Sequence, residues 1–428
     1  MVVISKKKLL FSVLVFFFII NTAQSSIILD YQTEEFIKKI NNLVLSVNYY
    51  QDQIEYKVIL DDSINAYVNE NKEIYISSGL IENSSSYVAL LGVVAHEIGH
   101  LEKYHLTKRK ESLKSLSTIN ALGTLSVIAG SILSNNTDII QALAVNKVSI
   151  NNFYINFTKE QEKEADHYAV ETINNLDLPK EPLINLLNKL EEESLNKGIT
   201  EEYHKFSTHP IYKKRFDIIN KTEENLNTKI NTELENEFNF IKAKFLGYSE
   251  IEGTFSFKKY HQEYYESIKL SKSGNLLDSL RLLNKLILQF PDNVYLVETK
   301  ADILISYGYK KEAIKFYKKV LDVIPDNNYA KLRIFLNLDI DSLNYNQKKQ
   351  LFNEFINLLF DFPKSIKIKG KYNQLSYDLN KKNWIDYFSL VNNNKNLDKN
   401  VYNNKMEELM KKTNDTKLIK LIKKSKSI

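Results

Sequence analysis

Cysteine is absent from the 428 residues of this chain. That excludes a disulfide framework, thiolate catalysis and any Cys-ligated metal site, so a metal here must be held by His and carboxylates. Glycine and proline are scarce, at 11 and 6 residues, and hydrophobic residues make up 43% of the chain. This balance rules out collagen-like repetition and long intrinsic disorder. Only one apolar run is continuous, and it is short, which rules out a polytopic membrane protein. An excess of one charge is also missing. Lys plus Arg number 58 against 53 acids, and Lys6, Lys7 and Lys8 account for three of the net +5. Nucleic-acid binding drops out on that count. Asn, Lys, Ile and Tyr are heavily used, as in an AT-rich genome, so lysine-rich stretches carry little information. At roughly 150 residues per domain the length allows two or three folded units.

The N-terminus reads as a signal peptide over residues 1–25. Lys6 to Lys8 form a positive region, Leu9 to Ile20 an apolar one, and Ala23, Gln24 and Ser25 a cleavage site with small residues. At 1.5 Å per residue the apolar stretch reaches about 18 Å, short of the roughly 30 Å of a bilayer core. The mature chain is expected to start near Ser25 or Ser26.

Beyond a helical lead-in at Thr33 to Asn48, three strands are expected at Tyr56–Leu60, Asn65–Asn69 and Glu73–Ser77, forming a small antiparallel sheet with Glu73–Ser77 at its edge. Ser84 to Ser86 offer N-caps to a helix carrying Val88, Leu91, Val94, Ala95 and Ile98 through to about His105. Ala121 to Leu133 is apolar and too short to span a bilayer. It reads as a buried helical hairpin, a lid over the site or a surface touching a membrane. Another helix is expected from Lys159 to Leu176, and the chain from about Leu226 onward is helical throughout.

That last region is periodic. Gly274 and Gly308, Ser279 and Ala313, and Pro291 and Pro325 are each separated by one interval of about 34 residues, the length of a tetratricopeptide repeat. Ala301, Gly308, Ala313, Tyr317 and Pro325 supply the small, glycine, aromatic and proline residues that let paired helices of such a repeat pack. Pro363 falls off the interval, so later repeats are degenerate, and Lys411 to Lys426 reads as a solvated capping helix.

His96-Glu97-Ile98-Gly99-His100 is an HExxH motif on an expected helix. Two His four residues apart lie one above the other on one helical face, so both imidazoles can reach one cation. Glu97 sits about 100° further around the helix, which suits it to act as a base on a water rather than as a ligand. A third protein ligand is required, with a fourth position left open. His105 does not provide it. On a continued helix it points largely away, and it reads as a surface histidine or one that supports a ligand from behind. Among several acidic helices, the one carrying Glu162 and Asp166 places both on one face. Glu162 could there bind zinc while Asp166 orients a ligand His.

Taken with His96 to His100, the segment Phe157-Thr158-Lys159-Glu160-Gln161-Glu162-Lys163-Glu164-Ala165-Asp166 resembles the HtpX-related zinc metallopeptidases, and the repeats make the chain similar to their BepA-like periplasmic group. The resemblance makes His96, His100 and Glu162, not Glu164, the ligands of one Zn2+ per chain, and Glu97 the base. Asn65-Ala66-Tyr67, Ile74-Tyr75-Ile76 and Ser78-Gly79-Leu80 resemble the family's strands ahead of the zinc helix. Thr208-His209-Pro210 with Arg215 resembles its Thr-His-Pro segment. His209 then either steadies the oxyanion or occupies the open metal position, and otherwise makes a structural contact at a helix start.

The resulting expectation is an α+β zincin-type metallopeptidase domain over 26–225, with active-site helices and a small antiparallel sheet, followed over 226–428 by an all-α tetratricopeptide-repeat solenoid. By resemblance it is a periplasmic zinc endopeptidase acting on unfolded or misassembled proteins. Its implied partners are outer-membrane proteins and their barrel-assembly machinery, with peripheral contact at the membrane. The rival readings are a repeat chaperone or scaffold with a latent zinc site, and a zinc hydrolase of a non-peptide substrate.

Overall fold

A computed structural model describes residues 27–107, 159–196, 218–219, 227–251, 253, 255–363, 365–393 and 397–426. The expected signal peptide, the Ala121 to Leu133 segment and His209 lie outside the described residues. Among the described residues the chain is mostly helical, with one small sheet near the N-terminus. The described residues fall into two compact units, one within Met1–Ile28 and Ile37–Glu235, the other within Leu29–Phe36 and Asn236–Ile428.

The first unit contains the strands β1 (Ile27–Ile28), β2 (Glu55–Ile59), β3 (Ala66–Val68) and β4 (Glu73–Ser77) in the order β1-β2-β4-β3. β1 and β3 pair antiparallel to β2 and β4 respectively, whereas β2 and β4 run parallel, with Glu55 opposite Glu73 and Ile59 opposite Ser77. The sheet is therefore mixed, and Glu73–Ser77 is an interior strand rather than an edge. Both differences have one cause. β3 and β4 close a tight hairpin in which Lys72 takes the left-handed turn conformation, at φ 62°, and the chain returning from β2 passes β4's place to reach β3. Ile74 and Ile76 point into the core and are fully buried, while Tyr67 and Tyr75 stack on the other face with ring centroids 4.9 Å apart.

The helices are α1 (Tyr31–Ser46), α2 (Ser78–Asn83), α3 (Tyr87–Glu102), α4 (Lys159–Asn175) and α5 (Glu181–Asn196), then α6 (Thr232–Tyr248) to the second unit. Helix α3 starts where Ser86 accepts from the backbone N–H of Val88, and its own hydroxyl donates to Glu235 at 2.6 Å. Almost every side chain of α3 is buried, as for a helix enclosed on all sides. It packs along α4, α5 and β3. Gly99 sets the distance to α4: a Cβ there would lie 3.1 Å from Tyr168 Cβ and 3.2 Å from Ala165 Cα.

The second unit continues with α7 (Lys259–Lys272), α8 (Leu276–Gln289), α9 (Val294–Ser306), α10 (Lys310–Val323), α11 (Asn328–Asn337), α12 (Tyr345–Glu354), α13 (Leu358–Asp361), α14 (Ile366–Asp378), α15 (Lys382–Asn392), α16 (Lys399–Lys412) and α17 (Thr416–Lys426). Neighbouring helices pack in sequence, α7 on α8 and α9 on α10. Gly274 and Gly308, at φ 89° and 85°, end α7 and α9 in the same way. In the first turn Gly274 N–H bonds Ser271 O and Asn275 N–H bonds Leu270 O; in the second Gly308 bonds Ile305 O and Tyr309 bonds Leu304 O. These are paired Schellman closures, in which glycine supplies the left-handed residue. Asn380, at φ 51°, makes the same closure between α14 and α15, through Asn380 N–H to Tyr377 O and Lys381 N–H to Ser376 O. Ala301, Ala313, Tyr317 and Ala330 are fully buried between the helices. Among the described residues no helix is long and apolar enough to cross a membrane.

Candidate metal centre

Helix α3 carries His96 and His100 on one face, and α4 presents Glu162 to them from across the Gly99 contact. The Nε2 atoms of the two histidines are 3.1 Å apart, and each is 3.4 Å from a different oxygen of Glu162. Nitrogen and oxygen ligands held 2.0–2.1 Å from a tetrahedral zinc lie about 3.3 Å from one another. The two imidazole nitrogens therefore stand at about the separation of two such corners, and the carboxylate offers each of them a different oxygen at a similar distance. The three residues are also the only potential metal-binding group among the described residues. His100 and Glu162 are completely buried and His96 is nearly so, and burying a carboxylate among imidazoles without a cation is costly.

Each ring nitrogen behind the cluster has a partner. His96 Nδ1 lies 3.0 Å from Asp166 Oδ1, one helical turn beyond Glu162. Burial opposes the charged form of His96, but hydrogen bonds to Asp166 and Glu162, and then their charges, outweigh it and raise its pKa. With Asp166 accepting from Nδ1, the Nε2 lone pair faces the cluster, as a metal ligand requires. His100 Nδ1 lies 2.9 Å from Nδ1 of His105.

His105 does not continue the helix that the spacing predicts. α3 ends at Glu102, the N–H of Lys103 bonds Gly99 O, and Tyr104 adopts a left-handed conformation at φ 56°. That reversal turns His105 back under His100, where it is fully buried, so the surface alternative is corrected. No glycine or proline marks the turn, which is why spacing alone does not reveal it. Gly99 is the other residue that pattern reading passes over, since inside HExxH it occupies a position the motif leaves open. Glu97, the residue after the first histidine, is 1% exposed and belongs to the same enclosed stretch of α3.

Residues 30–223 match the model of peptidase family M48. The chain is 22% identical over 329 residues to the beta-barrel assembly-enhancing protease of Yersinia pestis, covering 73% of this chain and 66% of that protein. It is 21% identical over 297 residues to the protein of the same name from Escherichia coli strain K12, covering 66% of this chain and 60% of the relative. The chain thus spans somewhat less than two thirds of the curated relatives it matches.

Proposed function

We propose that this chain, which belongs to peptidase family M48, is a zinc endopeptidase that cleaves unfolded or misassembled proteins. The observation that carries the reading is the buried cluster of His96, His100 and Glu162, with the two Nε2 atoms 3.1 Å apart and each 3.4 Å from one oxygen of the carboxylate. A zinc ion held there would acidify a water and polarise the scissile carbonyl. Glu97 takes the proton of the attacking water and delivers it to the leaving amine. Asp166 fixes the tautomer and orientation of His96. His209, from the Thr-His-Pro segment, either steadies the oxyanion or restrains the resting site.

The substrate is proposed to add as an extended strand to β3. Among the described residues β3 pairs on one side only, with β4, and it packs against the HExxH helix. Backbone pairing of this kind gives affinity with little selection of sequence, which suits unfolded chains. The helices beyond residue 226 are proposed to form a tetratricopeptide-repeat solenoid that receives a protein partner. The repeated closures at Gly274, Gly308 and Asn380 support that assignment. The relatives are named for beta-barrel assembly, and with the expected signal peptide this supports a proposed setting in the periplasm, with outer-membrane proteins and their assembly machinery as proposed clients and partners.

Degradation of a permanently unfolded model protein tests this reading. Cleavage should stop with a zinc chelator and return on adding zinc, and cleavage indifferent to the chelator would overturn it. In the same assay His209→Ala lowers turnover if His209 steadies the oxyanion and raises it if His209 restrains the site.

A further inference from the structure

The two histidines of the cluster are not supported alike. His96 has a carboxylate directly behind it, Asp166, at 3.0 Å. His100 has a second imidazole. Its Nδ1 is 2.9 Å from His105 Nδ1, and the far nitrogen of His105, Nε2, is 2.8 Å from Glu164 Oε2. Between two Nδ1 atoms at that distance, one must carry the hydrogen and the other must accept it.

We infer that His105 and Glu164 form a relay that positions His100 as a metal ligand. This rests on the zinc reading above. If His100 offers its Nε2 lone pair to the cluster, its hydrogen sits on Nδ1 and is donated to His105. His105 then accepts at Nδ1 and must carry its own hydrogen at Nε2, which it donates to Glu164. Every proton in the chain is fixed by the first assignment, and the direction ends on a group that, ionised, only accepts. The carboxylate makes His105 a stronger acceptor, and His105 in turn makes His100 a more basic ligand and locks its ring orientation. The relay therefore does through two links what Asp166 does for His96 in one.

The chain's path is arranged for this. The left-handed Tyr104, at φ 56°, is an uncommon conformation for a residue with a side chain, and its effect is to return His105 to His100. His105 is fully buried, whereas the Glu164 side chain is 53% exposed. Glu164 can therefore be changed without opening the core, while His105 cannot.

Zinc affinity of the full chain, measured by competition with a chromophoric chelator, tests the relay alongside the melting temperature of the zinc-free protein. His105→Leu should lower zinc affinity about 10- to 100-fold. His105→Gln should recover much of that loss, because its amide can accept from His100 and donate to Glu164 at once. Glu164→Ala should lower the affinity several-fold while leaving the zinc-free melting temperature unchanged, which a merely structural role would not do. Wild-type zinc affinity in Glu164→Ala overturns the relay, whether or not His105→Leu folds. Equal losses in His105→Leu and His105→Gln overturn it as well. A wild-type chain that binds no zinc overturns the zinc reading itself, and the relay with it.

Discussion

The separation of α3 from α4 depends on one hydrogen atom in place of a methyl group at Gly99, and the metal cluster lies across that contact. Gly99→Ala gains helix propensity worth about 1 kcal/mol but must push aside Tyr168 and the backbone at Ala165. Overpacking of this kind costs about 1–3 kcal/mol. The expected net change in stability is therefore small, no more than about 2 kcal/mol. Zinc affinity is expected to fall more than stability suggests, because α4 carries Glu162 and Asp166 away from the histidines together. Chelator competition beside thermal unfolding measures the two effects separately, and unchanged affinity would show that the helix spacing is not what holds the ligands. The same residues show how much of the site is legible in sequence. His96, Glu97 and His100 stand at spacings that pattern reading can follow within one regular helix, whereas spacing leaves Glu162 and Asp166 on one of several acidic helices and the family resemblance singles them out. His105 escapes both, because its position depends on a left-handed residue, Tyr104, that has no glycine to announce it.

Among the elements, the helix closures give the clearest link from sequence to geometry. Gly274 and Gly308 have left-handed backbones with nothing near an added Cβ, so substitution there costs backbone strain alone. Gly308→Ala should destabilise the chain by about 1–2 kcal/mol. Asn380 occupies the equivalent closure of α14, so Asn380→Ala should cost a similar amount and Asn380→Gly nothing. Urea unfolding checks this set, and a tolerant Gly308→Ala would argue against a closure that depends on its left-handed glycine. The α14–α15 turn escapes the 34-residue pattern for two reasons: asparagine stands in place of glycine, and Asn380 lies 72 residues after Gly308, four more than two intervals. Three of the sheet's four strands are legible, whereas the two-residue β1 is too short to show a pattern and the strand order is hidden. Local alternation in Glu55–Ile59 and Glu73–Ser77 says nothing about which strands become neighbours, and their parallel pairing depends on contacts distant in sequence. Glu298 on α9 carries a prediction in pH. Burial, then the charge of Asp302, raises its pKa from 4.5 to about 8, against the opposing pull of Lys244. Its oxygen accepts from Asn327, whose side chain caps α11. The folded chain thus holds a proton that the unfolded chain has released. Stability from this group is complete below about pH 4.5 and declines as pH rises towards 8, by up to about 1.4 kcal/mol per unit. Glu298→Gln should flatten that decline between pH 6 and pH 8, and an unchanged slope in urea midpoints would contradict it.

For the molecule as a whole, the two units carry different kinds of information. The first brings five buried ionisable side chains, His96, His100, His105, Glu162 and Asp166, into one cluster. The second spreads its buried polar pairs through a series of packed helices, as in Tyr264 with Thr299 and Glu298 with Asn327. The first unit is thus the proposed seat of the chemistry, and the second the proposed seat of partner recognition. The most direct test is to compare wild-type chain with Glu97→Gln for two properties on the same preparation: zinc bound per chain, and cleavage of an unfolded protein. The prediction is one zinc in both proteins, with cleavage reduced about 10²- to 10⁴-fold in Glu97→Gln. Full cleavage by zinc-loaded Glu97→Gln, or a zinc-loaded wild-type chain that cleaves nothing, would contradict it.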